Sequence, residues 1–162
     1  MDFEEAQRNQ DEPGILKSRD YLNSLIKQEI DKGIEPSRIL LGGFSQGGAM
    51  SLFTGITSPH KLGGIFGLSC YLLLSTKIKE FSPPGGELPN AKTPFFIAHG
   101  YDDPVVKYKF GDMTQKRLKE LGFDVEFHSY QYVPLTLEYV TSADYWCIVA
   151  SRILQTPRRF RT

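Results

Sequence analysis

Residues Gly43, Phe44, Ser45, Gln46 and Gly47 form a G-x-S-x-G pentapeptide. An apolar run, Ile39 to Leu41, leads into it, and a small and apolar stretch, Gly48 to Phe53, follows. A strand that bends sharply into a helix is the setting in which such a serine becomes a nucleophile. The flanking glycines permit the strained bend, and the opening helix aims its free N–H groups at the same point. A chance serine in a glycine-rich turn is the competing explanation, and both flanks argue against it. Ser45 is the candidate nucleophile.

A serine hydroxyl needs a histidine to take its proton and a carboxylate to orient that histidine. The predicted strand Pro94 to Ala98 runs into His99-Gly-Tyr-Asp-Asp-Pro-Val-Val, which puts two carboxylates at a strand's C-terminal end, where sites on open α/β sheets form. Asp103 is the candidate acid and Asp102 the spare, although Asp-Asp-Pro is also a common turn sequence. The histidine is not found. Three occur, His60, His99 and His128, and none follows His128. His128 falls inside a predicted strand and alternates outward with Glu126, so it reads as a sheet-surface residue and only a weak candidate for a displaced base. His60 stands beside Pro59 in a loop that ends a helix.

The elements that must hold these residues alternate. A helix from Pro13–Gly14 to about Lys32 carries Ile15, Leu22, Leu25, Ile26 and Ile30 on one face and stops at Gly33. The strand Arg38 to Phe44, a helix from Gln46 to about Thr57, the strand Gly63 to Ser69 and the strand Pro94 to Ala98 follow, with a Pro/Gly-rich excursion from Leu74 to Lys92 between the last two. A helix from about Gly111 to Leu121 and a sheet-edge strand Asp124 to Tyr130 complete the pattern. Such alternation predicts a parallel α/β sheet of about four strands with flanking helices. Past Tyr130 the periodicity is lost. Residues 1–130 are expected to form one domain and residues 131–162 an atypical C-terminal segment, helical from Tyr139 to Leu154 and then a disordered basic tail.

Bulk properties narrow the function classes. A chain of 162 residues suits one core, and zero net charge without a broad basic excess argues against nucleic acid. No apolar run approaches the roughly 18 residues of a membrane span, and the acidic start does not resemble a signal peptide. Cys70 and Cys147 have no metal-ligand or redox spacing, so no metal or cofactor is expected, and a reduced, cytoplasmic setting is the default, with the nucleus also open.

From about Pro13 to Tyr130 the chain resembles the acyl-protein thioesterase and lysophospholipase family of small α/β-hydrolases. The likeness is carried by Asp31-Lys-Gly-Ile-Glu-Pro-Ser-Arg-Ile-Leu-Leu-Gly-Gly-Phe-Ser-Gln-Gly-Gly-Ala, by Gly67-Leu-Ser-Cys-Tyr-Leu and by the His99 to Val106 segment. The resemblance implies an α/β-hydrolase fold and hydrolysis of long-chain acyl thioesters on S-acylated proteins, with lysophospholipid or small esters as further substrates. It maps the nucleophile to Ser45, one oxyanion donor to the N–H of Gln46, the acid to Asp103 and a structural histidine to His99. It also implies two differences. The family's base lies in a Gly-x-x-His-Ser-like loop after the strand matching Asp124 to Tyr130, where this chain reads Tyr130-Gln-Tyr-Val-Pro-Leu-Thr-Leu. The first half of the usual sheet, with the second oxyanion donor, has no counterpart in the 44 residues before Ser45, so the expected fold is a partial one.

The expected function is a serine hydrolase of acyl-protein thioesterase type, slowed by the unfilled base position. The alternatives are a non-catalytic binding module and a general carboxylesterase or lysophospholipase. Contact with a membrane would be at most transient. The strand Ile39 to Phe44 is expected to be an exposed apolar edge through which the chain could self-associate, and Leu72 to Leu74 are expected to serve as acyl-binding surface or as plain core.

Overall fold

The computed structural model describes residue 7, residues 9–83 and 88–131, and the backbone of residues 147–150. Helix α1 spans Glu12–Asp31; the Asp11 carboxylate caps it by accepting from the Gly14 N–H at 3.1 Å. Gly33, at φ 89°, ends it in the left-handed conformation that costs glycine nothing. Strand β1 (Leu40–Phe44) runs straight into α2 (Ser45–Thr57). Strands β2 (Gly64–Leu68) and β3 (Pro94–Gly100) follow, then α3 (Tyr108–Glu120) and β4 (Asp124–Tyr130). With a short further strand, β5 (Cys147–Ala150), the sheet order among the described residues is β4-β3-β2-β1-β5, the first four strands being parallel.

One sheet face is dry. Leu41, Ile65, Phe95 and Ile97 point into a core roofed by α2, whose Ala49, Leu52, Phe53 and Ile56 are buried. The helix lies very close to the sheet end. A Cβ on Gly48 would meet the Gly43 carbonyl oxygen at 2.7 Å and Cys70 at 3.1 Å, so glycine is required there for α2 to start where β1 stops. Leu72, Leu73 and Leu74 are buried in the same core, which makes them packing residues and removes them as acyl-binding surface. The opposite face, with Leu40, Phe66, Leu68, Phe96 and Ala98, is only half-buried.

Two expectations are corrected. Strand β1 is not an exposed edge. It pairs with β2 on one side and, antiparallel, with β5 (Cys147–Ala150) on the other, in the register Leu41↔Val149 and Gly43↔Cys147. The proposed route to self-association through that edge is therefore closed. Within the expected helix from Tyr139 to Leu154, Cys147–Ala150 is extended instead, and the rest of that segment lies outside the described residues. Its β-branched Ile148 and Val149 suit a ladder better than a helix. The basic tail expected beyond it lies outside the described residues.

Candidate active site

Ser45 is the first residue of α2 and has φ 53°, one of three positive-φ non-glycine residues described, with Ser69 and Leu74. A left-handed non-glycine backbone costs on the order of 1 kcal/mol or more, and persists only where its surroundings enforce it. Here the extended Phe44 (φ −111°, ψ 146°) and the close seat of Gly48 on Gly43 force the chain to turn at Ser45. The helix start carries no side-chain cap. Its first N–H groups, including that of the exposed Gln46, are among those an α-helix leaves without internal partners.

Asp103 is held two strands away, in the loop between β3 and α3. Its Oδ1 accepts from the N–H groups of Val105 and Val106, both at 2.9 Å, and its side chain is only 9% exposed. Oδ2 lies 3.7 Å from Nε2 of His99. The His99 ring is fully buried against Gly111, and its Nε2–H donates to the Val106 carbonyl at 2.7 Å. Histidine and aspartate thus grip the same turn from its C=O and N–H sides. Asp102, the spare, is exposed.

No histidine reaches Ser45. His60 follows the far end of α2, whose 13 residues span about 20 Å at 1.5 Å each. His99 is committed to the Val106 carbonyl, two strands from β1. His128 pairs in register with Ala98, Ala98 with Leu68, and Leu68 with Phe44, which sets it three strand spacings, roughly 14 Å, from the serine's strand. There it stacks on Phe96, with ring centroids 5.0 Å apart, and bonds to Glu126. His128 is a sheet-surface residue.

Two cavities flank the elbow. One, of about 300 Å³, opens on the half-buried sheet face over Phe44, Leu68, Phe96 and Ala98. The other, of about 660 Å³, lies between α1 and α2, bordered by Lys17, Tyr21, Leu22, Gln46 and Met50. Cys70 packs under the bend, where burial pushes its thiol up to about 12, so it stays protonated and unreactive.

The profile of the Phospholipase/Carboxylesterase family matches residues 1–137. The chain belongs to this family. It is 59% identical over 145 residues to acyl-protein thioesterase 1 of Emericella nidulans, covering 89% of this chain and 60% of that protein. It is 61% identical over 131 residues to acyl-protein thioesterase 1 of Aspergillus fumigatus, covering 80% and 54%. Among solved structures, Arabidopsis thaliana SOBER1 superposes with a TM-score of 0.67 at 33% identity, over 82% of this chain and 63% of that one. This family member therefore spans little more than half the length of the thioesterases it matches, with the α/β-hydrolase-like architecture of the matched portion.

Sequence reasoning missed several groups around the site. Ser69, at φ 46°, bonds through its N–H to the Ala98 carbonyl at 2.9 Å and borders the apolar cavity. Gln7 and Gln10 bind the backbone of Leu72, Leu74 and Ser75, and Thr114 accepts from the Leu72 N–H at 2.9 Å. Nothing local marks these residues, because each acts through a partner dozens of positions away.

Proposed function

We propose that this chain is the catalytic-side portion of a serine hydrolase acting on acyl thioesters, with Ser45 as nucleophile, the Gln46 N–H as oxyanion donor and Asp103 as orienting acid. In this reading the Ser45 Oγ attacks the thioester carbonyl, the C–S bond breaks, and the serine proton leaves with the thiolate as a free thiol. Water then cleaves the acyl-serine ester. The observation that carries the reading is the left-handed Ser45 at the junction of β1 and an uncapped α2. The name acyl-protein thioesterase, carried by relatives at up to 61% identity, supports acyl thioesters on proteins as the substrate class; long-chain acyl groups on cysteines, with lysophospholipids and small esters as further substrates, are the finer reading that the family resemblance implies.

With no histidine among the described residues reaching Ser45, turnover should be several powers of ten below that of a complete triad. The missing function is a proton acceptor of near-neutral pKa, which imidazole in solution can supply. The test is hydrolysis of a palmitoylated cysteine peptide with and without added imidazole. The expected result is slow release of free thiol that rises with imidazole in the native chain and is absent in Ser45→Ala. Equal release by both chains, or release indifferent to imidazole, would overturn the reading. The described helices include none long and apolar enough to cross a membrane, and a substrate at a membrane surface would be met from the aqueous side.

A further inference from the structure

Resting on that reading, we infer that His99 is a positioning residue for the acid: it fixes the backbone of Val106 and, through Val106, the carboxylate of Asp103. The ring is unfavourably placed for a histidine. Its side chain is fully buried, and Nδ1 has no hydrogen-bond partner among the described residues. A polar atom buried in that state has lost the hydrogen bonds of water without replacement, which an apolar side chain would avoid. Helix α3 also carries glycine where it crosses the ring, because a Cβ on Gly111 would collide with Nδ1. Against these costs the imidazole makes a single hydrogen bond among the described residues, from Nε2–H to the Val106 carbonyl at 2.7 Å. A carbonyl only accepts, so the direction of that bond is fixed and Nε2 carries the proton.

Val106 is where the histidine and the acid meet. Its carbonyl is held by His99, and its N–H, together with that of Val105, donates to Asp103 Oδ1, both at 2.9 Å. Oδ1 is thereby occupied. Oδ2 lies 3.7 Å from Nε2, too far for a hydrogen bond to a proton already given to Val106. Among the described residues Oδ2 therefore keeps its acceptor capacity, which is what orienting an imidazolium requires. If Val106 rotated, Oδ1 would lose a donor and the carboxylate would be free to turn within its loop. Misplacement of that kind costs rate without touching the reacting atoms.

The test separates the donor from the ring, and then asks whether the donor acts through Asp103. His99→Phe keeps a ring and loses the N–H; His99→Gln loses the ring and keeps an N–H as many bonds from Cβ as Nε2. Imidazole-stimulated release of free thiol from a palmitoylated cysteine peptide should fall about tenfold in His99→Phe and stay within about threefold of the native chain in His99→Gln. Added to Asp103→Asn, His99→Phe should lower the rate by no more than about twofold further, because a residue acting through the carboxylate has nothing left to orient. Amide hydrogen exchange at Val105 and Val106, which needs no catalysis, should speed about tenfold in His99→Phe and not in His99→Gln. Should His99→Phe fail to give a folded spectrum, the smaller His99→Leu takes its place in each comparison. Equal losses in the Gln and Phe variants, or losses that multiply to about a hundredfold in the double variant, would reduce His99 to packing and overturn the inference. Ser45 labelling by a short fluorophosphonate tests the hydrolase reading independently. A chain that labels but gives one of those results, or labels without imidazole-stimulated release, loses only the role of His99; a folded chain that does not label loses both.

Discussion

At the residue scale the candidate site is a set of side chains whose positions are dictated by backbone hydrogen bonds. Asp103 is a turn former by its hydrogen bonds and the acid of the proposed triad, and the two roles can be divided. Asp103→Asn keeps an amide oxygen to accept from Val105 and Val106, so stability should stay within about 0.5 kcal/mol. The charge that would orient an imidazolium is gone, and imidazole-stimulated thioester cleavage should fall at least tenfold. Asp103→Ala should instead speed hydrogen exchange at the Val105 and Val106 amides. Cys70 offers a cleaner check on packing. Because its thiol is pushed up to about 12, it stays protonated at all ordinary pH values. Mass-mapped iodoacetamide treatment at pH 8 should leave it unmodified in the folded chain and modify it in urea. Alkylation of the folded chain would mean that the bend over Cys70 is open. Ser45 itself was legible because glycines on both sides of a serine between apolar runs have few other uses. The preference for Asp103 over Asp102 was already made from the sequence, and the fold adds that Asp103 turns inward while Asp102 is exposed.

At the element scale, α2 is fixed at both ends. Its start depends on Gly48, and Gly48→Ala should destabilise by about 1–2 kcal/mol in urea unfolding: the clash with the Gly43 carbonyl outweighs the helix-propensity gain of about 1 kcal/mol. Its end is pinned by Asn90, fully buried, which accepts from the Leu62 N–H at 2.8 Å and donates to the carbonyls of Gly55 and His60 at 2.9 and 2.8 Å. Asn90→Ala strands three backbone groups and should cost about 3 kcal/mol or more by the same measurement. A loss under 1 kcal/mol would mean that water reaches those groups. The helices and parallel strands could be read from periodicity, to within a few residues, because each meets the core through a local repeat. α3 starts at Tyr108, earlier than Gly111, because its first turn packs aromatically: the Tyr108 ring meets Tyr101 and Phe127, and its hydroxyl bonds to Ser129 at 2.7 Å. Asn90 sits in the Pro/Gly-rich excursion that reads as a mere connection, and its importance exists only through contacts about 30 residues distant.

At the scale of the whole molecule, one sheet face is sealed by helices and the other is half-open, with β5 closing the flank of β1. β5 was illegible because Cys147-Ile-Val-Ala is short and apolar, equally compatible with helix or strand until a partner selects one. Neighbouring residues of an antiparallel pair alternate in bonding to the partner strand, so one of Ile148→Pro and Val149→Pro removes an N–H from the β1–β5 ladder; that variant should lower stability and promote self-association, seen as larger species in sedimentation velocity. The opposite edge needs no such cover, since β4 presents Asp124, Glu126 and His128 there. The account rests on Ser45 being the one serine held for attack. The most direct measurement is therefore treatment of the native chain with a fluorophosphonate in imidazole buffer, followed by peptide mass mapping. The prediction is a single adduct on Ser45, lost in Ser45→Ala and kept in Ser69→Ala. An adduct elsewhere, or none on a chain with a folded spectrum, would contradict it.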